Sequence, residues 1–188
     1  MDFSAFSHGQ IQSKLWLCES LEPLLSEKPQ SVAIIGSWYN VLAFMLLARN
    51  QDLYNHIDGY DVDIESISKS NQINDAWMIN KDQKVSNICK DAKDVDYKSY
   101  DVIVSTSVED IGIDWYDLVP EGKLICLQTI NLSPEIKNQY PNWIIRNHIP
   151  DMETFKQKYP LSNILFEGCR TYDYDHLKYD RYMLIGKK

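Results

Sequence analysis

Short, strongly apolar runs alternate with longer amphipathic ones over the first two thirds of this chain. Ile11, Leu15, Leu17, Leu21, Leu24 and Leu25 recur at helical spacing and predict a helix over residues 11–25. Pro23 should kink this helix and Pro29 should end it. The run SVAIIG (31–36) reads as a buried strand stopping at a glycine. NVLAFMLLARN (40–50) is apolar almost all round, which predicts a helix packed tightly on a sheet. A short strand over 56–61 and a helix from Ile64 to about Trp77 follow. Residues 84–89 form a weaker strand and 100–105 (YDVIVS) a strong one. A further strand at 123–128 (KLICLQ) is introduced by the turn Pro120-Glu121-Gly122.

Strands that alternate with helices in this way predict an α/β protein with a parallel sheet. Past Gln128 the pattern changes. Residues 143–147 read as extended and 151–159 as helical, while 164–169 and 182–186 read as paired strands joined by an exposed loop over 170–180. The expectation is one domain with a seven-stranded, mostly parallel sheet and an antiparallel C-terminal strand at 182–186. Residues 31–188 would form that domain, with 1–30 as a helical segment packed on it.

Composition adds limits. With 188 residues, 44% apolar and 24% charged, the chain can bury an ordinary core without disulfides or metals. Cys18, Cys89, Cys126 and Cys169 are scattered without zinc spacing, so they are expected to be reduced and mostly buried. A net charge of −8 argues against nucleic acid as a partner, because phosphate neutralisation needs clustered Lys and Arg. The opening MDFSAFSHGQ is not a signal peptide, and the apolar stretch 41–48 is too short to span a bilayer. A soluble, cytoplasmic chain with no membrane partner is expected. A homodimer is compatible with the sequence.

The candidate chemistry clusters at predicted strand ends, where open parallel sheets bind ligands. Gly36 ends the first strand and lets the backbone approach a cofactor, with Ser37, Trp38 and Tyr39 following. Asp61, 25 positions later and followed by Val62, ends the second strand and is placed to accept ribose hydroxyls. Asp91-Ala92 follow the third strand, where an adenine amino group can be read, and Thr106-Ser107 follow the fourth. Glu109, Asp110, Gln128, Asn131, Asn147 and His148 lie just beyond strand or extended segments. Of these, Glu109, Asp110 and His148 are candidates to orient or deprotonate an acceptor. Glu109-Asp110 also reads as the acidic start of a helix running into Trp115.

These motifs resemble the class I S-adenosylmethionine (SAM)-dependent methyltransferases. The likeness lies in the strand-end glycine, GYDVD (59–63), the Asp91-Ala92 pair, DVIVSTS (101–107) and the closing RYMLIGKK (181–188). More narrowly, Gly36-Ser37-Trp38-Tyr39, Thr106-Ser107-Val108-Glu109 and Leu127-Gln128-Thr129-Ile130-Asn131 resemble small bacterial and phage methyltransferase-like proteins with a G-x-W-Y first motif. The resemblance implies a three-layer Rossmann-like domain, SAM as cofactor, no metal, and methyl transfer to a small-molecule or protein acceptor. One departure stands out: Gly36 is alone where the family has two or three glycines, so Trp38 and Tyr39 either follow a different loop path or line the pocket around the sulfonium. Two other readings stay open: aminocarboxypropyl transfer from SAM, as in nicotianamine-synthase-like enzymes, and a SAM-fold binding module without catalysis.

Overall fold

In the computed structural model, residues 2–76, 84–140, 145–174 and 177–188 are described. Seven strands form one sheet: β1 (Gln30–Ile35), β2 (Tyr54–Asp61), β3 (Val85–Cys89), β4 (Val102–Ser105), β5 (Leu124–Ile130), β6 (Asn163–Tyr174) and β7 (Leu177–Lys187). Their spatial order is β3-β2-β1-β4-β5-β7-β6. The first five pair in parallel, and β7 runs antiparallel between β5 and β6. This is the mostly parallel sheet expected from the alternation, closed by the expected antiparallel strand at the C-terminus.

Alternate residues of the central strands feed two cores. Val32, Ile34, Val102, Val104 and Cys126 face one side, against Leu17 and Leu21 of α1 (His8–Leu21) and Leu42 and Leu46 of α2 (Val41–Asn50). Ala33, Ile35, Ile103, Ile125 and Leu127 face the other. There the cover is largely aromatic: Tyr97, Trp115, Tyr116 and Tyr159, with Phe155 from a short helix α4 (Met152–Lys158). A further helix, α3 (Ile64–Ala76), connects β2 to β3, and Ile73 joins Val41 and Phe44 of α2 in a satellite cluster. Continuous apolar strands are what two covered faces require.

Several sequence expectations are corrected. The N-terminal α-helix ends at Leu21, and Pro23 sits in a following 3-10 turn (Glu22–Leu24). Its buried face is also rotated from the one expected: Ser13, Lys14, Trp16, Leu17, Cys18 and Leu21 are buried, while Ile11 and Leu15 are half-buried. Glu109-Asp110 do not begin a helix; the segment turns and leads to a short 3-10 helix at Tyr116–Leu118. Residues 170–174 and 177–180 are strand rather than loop, because the β6–β7 ladder continues through Arg170↔Arg181, Thr171↔Asp180 and Tyr172↔Tyr179. Stacked Tyr172 and Tyr179, with centroids 5.3 Å apart, and the Lys178–Asp173 pair stabilise this extension. Finally, Cys18 and Cys126 are buried but Cys89 and Cys169 are exposed. The expected extended segment 143–147 and the end of the helix at Trp77 lie partly outside the described residues, and residues 145–147 are not in a strand. Among the described residues no helix is long and apolar enough to cross a membrane.

Leu17 is fully buried between α1 and the sheet. Leu17→Ala should therefore cost about 2–5 kcal/mol in urea unfolding. A cost under about 1 kcal/mol would show that α1 is not part of the core.

Candidate functional site

The strand order reverses between β1 and β4, which pair directly through Ile35↔Ser105. Beyond these strand ends lies the crevice where open parallel sheets bind ligands. The loop after β1 is unusual. Gly36 takes φ +65°, and two non-glycine residues, Trp38 (φ 49°) and Asn40 (φ 50°), are also left-handed. Each costs on the order of 1–3 kcal/mol and persists only where neighbours over-determine it.

The neighbours do so here. The Ser37 N–H donates to the Tyr60 carbonyl (2.9 Å), and the Trp38 N–H donates to Asp61 Oδ2 (2.8 Å). The Asn40 side chain lies against Gly59, where an added Cβ would meet it, and its Nδ2 donates to Asn87 Oδ1 (2.8 Å). Asp61 Oδ1 accepts the Asp63 N–H (3.0 Å). The loop thus follows its own path, stitched to β2 and β3.

Several sequence-selected residues gather around this loop. Ser37 is buried with its Oγ unpartnered, Trp38 is half-buried, and Val62 is 66% exposed beside Asp61. Tyr39 turns instead into the cluster with Ala5, Val41, Phe44 and Ile73, and its hydroxyl accepts the Asp2 N–H (3.1 Å). Asp91 is exposed and accepts the Lys93 N–H (2.9 Å), while the Ala92 carbonyl accepts from the Tyr97 hydroxyl (2.7 Å). Thr106 is buried and Ser107 half-buried past β4.

Glu109 sits just beyond, only 2% exposed, with Oε2 unpartnered among the described residues. Burial, and then the charge of Asp110, raise the Glu109 carboxyl well above the usual carboxylate range, while the Arg181 guanidinium pulls it back. Asp110 itself is exposed. The Glu109 carbonyl accepts the Arg146 (2.8 Å) and Asn147 (3.0 Å) N–H groups, which brings half-buried His148 to the same strand end.

Three candidates are committed to structure. Gln128 Nε2 donates to the Ser13 carbonyl (3.0 Å), Asn131 Oδ1 accepts the Asp180 N–H (2.9 Å), and Asn147 Nδ2 donates to the Tyr159 hydroxyl (2.9 Å).

Sequence reading missed two residues here, Lys14 and Arg181. Both are buried at the strand ends. Arg181 shares the β7 face of Met183 and Ile185, so period two carried a signal once the strand was extended. An open cavity of about 350 Å³ lies apart from the Asp61 loop, between His8 and Gln12 of α1 and Arg170–Tyr174 of β6.

No protein-family model and no curated protein matches this chain. Solved structures do. A Galdieria sulphuraria protein assigned as a sarcosine dimethylglycine methyltransferase aligns with a TM-score of 0.70 at 9% identity, over 95% of this chain and 86% of that one. Geranyl diphosphate C-methyltransferase from Streptomyces coelicolor A3(2), in complex with Mg²⁺, geranyl diphosphate and S-adenosylhomocysteine, aligns with a TM-score of 0.68 at 8% identity, over 95% of this chain and 79% of that one. The fold is that of SAM-dependent methyltransferases. It also hosts other chemistry: the cyclase SpnF aligns with a TM-score of 0.59 at 13% identity, over 84% of this chain and 60% of that one.

The buried acid gives a pH signature. In the unfolded chain Glu109 ionises in the ordinary carboxylate range, whereas in the folded protein it keeps its proton to higher pH. Its contribution to stability is full below that ordinary range and is lost as pH rises through the folded value. Glu109→Gln has no such loss, so its stability relative to wild type should improve by about 1 kcal/mol or more between pH 5 and pH 9 in urea unfolding. A difference independent of pH would contradict the raised value.

Proposed function

We propose that this protein is a SAM-dependent methyltransferase acting on a small-molecule acceptor. One observation carries the reading: the crevice at the β1–β4 reversal has the Asp61-anchored loop on one side and the buried acid Glu109 on the other. Solved structures of the same fold include geranyl diphosphate methyltransferase in complex with SAM, which adds support.

The chain's residues fit the cofactor. A Cβ on Gly36 would meet only Ile111 Cγ2 at 3.7 Å, so the backbone there is open to close approach. Each Asp61 oxygen accepts one backbone N–H, and a carboxylate has lone pairs left for two ribose hydroxyls. Val62 offers an exposed apolar face for adenine, Asp91, exposed past β3, an acid for its amino group, and Ser37 Oγ, unpartnered among the described residues, a donor. Thr106 and Ser107 would flank the methionine end, and Trp38 offers an aromatic ring to the sulfonium.

The cofactor supplies an electrophilic methyl group. The chain's part is to align the acceptor, exclude water and take up the proton that leaves a hydroxyl or amine acceptor. Glu109 suits that last role, since burial has already raised its proton affinity toward neutrality. Asp110 adjoins it in sequence and His148 follows Asn147, whose N–H donates to the Glu109 carbonyl; on this reading both orient the acceptor.

Calorimetry with SAM and S-adenosylhomocysteine tests the cofactor reading. Asp61→Asn should weaken both by roughly ten-fold or more, the worth of a charge-assisted hydrogen bond. Binding of neither ligand to wild type would overturn the proposal. Turnover that releases methylthioadenosine rather than S-adenosylhomocysteine would replace methyl transfer with aminocarboxypropyl transfer.

A further inference from the structure

We propose that Arg181 and Lys14 form a buried cationic pocket that binds an anionic group, a carboxylate or a phosphate, on the acceptor. Arg181 is 4% exposed and Lys14 is 7% exposed. Arg181 Nη1 donates to the Thr106 carbonyl (3.1 Å), and its Nε has no partner among the described residues. Lys14 Nζ donates to Gln10 Oε1 (2.5 Å). Neither cation has a carboxylate within 4.0 Å among the described residues.

A charge taken out of water is costly unless it is paired, and among the described residues each cation has one neutral acceptor, which does not compensate it. The mutual strain shows in Lys14, whose ammonium is pushed down to about 7 by burial first and by Arg181 second. An anion between the two would offset both the burial and the repulsion.

Position assigns that anion to the acceptor. Arg181 pairs with Ile130 at the end of β5 and reaches back to the residue after β4. Lys14 comes from α1, which is tied to β5 through Ser13 and Gln128. The pocket therefore lies over β4, β5 and β7, whereas Asp61 lies across the crevice at the end of β2. Glu109 lies on the turn past the end of β4. This assignment rests on the methyl-transfer reading; the pocket itself does not.

Thermal unfolding of the full chain in sodium phosphate or sodium acetate, against sodium chloride at equal ionic strength, tests the pocket. Wild type should show a saturable rise in midpoint, while Lys14→Met and Arg181→Lys should show apparent affinities weaker by about ten-fold or more. Arg181→Lys keeps a cation in place and so guards against simple misfolding. Phosphate also stabilises proteins generally, and that effect raises all three alike. Variants that respond as fully as wild type overturn the pocket.

A second comparison identifies the owner of the anion. S-adenosylhomocysteine and methylthioadenosine differ in the amino-acid end, and both variants should keep the wild-type preference between them. Loss of that preference would give the anion to the cofactor's own carboxylate and overturn the acceptor assignment. Binding of neither nucleoside to wild type would remove the methyl-transfer reading and the acceptor with it, while the salt comparison still decides the pocket.

Discussion

The Asp61 carboxylate holds the amide of Trp38 on one oxygen and that of Asp63 on the other. That clamp joins the ends of β1 and β2, and the shape of the crevice depends on it. A loop with several glycines turns under a ligand at little steric cost. Here one glycine is followed by Trp38 and Asn40, both left-handed. Their strain is offset by hydrogen bonds from Ser37 to β2, from Trp38 to Asp61 and from Asn40 to Asn87. Gly59 matters for the same reason: its missing side chain is where Asn40 and Ser37 sit. The departure from a glycine-rich motif is thus a different way of holding the backbone, and Tyr39 serves it from the outside by anchoring the N-terminal segment.

The charge distribution follows a similar logic. The chain as a whole carries −8, yet two cations are buried at the strand ends on the far side of the crevice from Asp61. The face of α1 changes from Leu17 and Leu21 to Ser13 and Lys14 as it approaches those strand ends. A helix covering only a hydrophobic sheet would have no use for that polarity. On the proposal of an anion pocket, the change marks where the helix turns from core to site.

Much of the fold was legible because parallel strands buried on both faces are continuous apolar runs, as in β1 and β4, and these stand out in the sequence. The strand-end acid and glycine were legible for the same reason: the strand that places them was. The hairpin extension was not, since Tyr172, Tyr174 and Tyr179 amid acids look like a loop until each is set against its cross-strand partner. Lys14 and Arg181 were hidden for a related cause. A charged residue reads as exposed until tertiary contacts reveal which face of α1 and β7 is covered. The Glu109 carboxyl was found by position, but its burial came from turns after β4 that have no periodic signature.

A cyclase shares this fold with methyltransferases, so the nucleoside site decides the reaction. A crystal structure with S-adenosylhomocysteine tests the central claim most directly. Ribose hydroxyls on Asp61, adenine beside Val62, and the sulfur facing Thr106 and Glu109 are expected. Nucleoside bound away from the ends of β1 and β2, with Asp61 making no contact to it, would contradict the account.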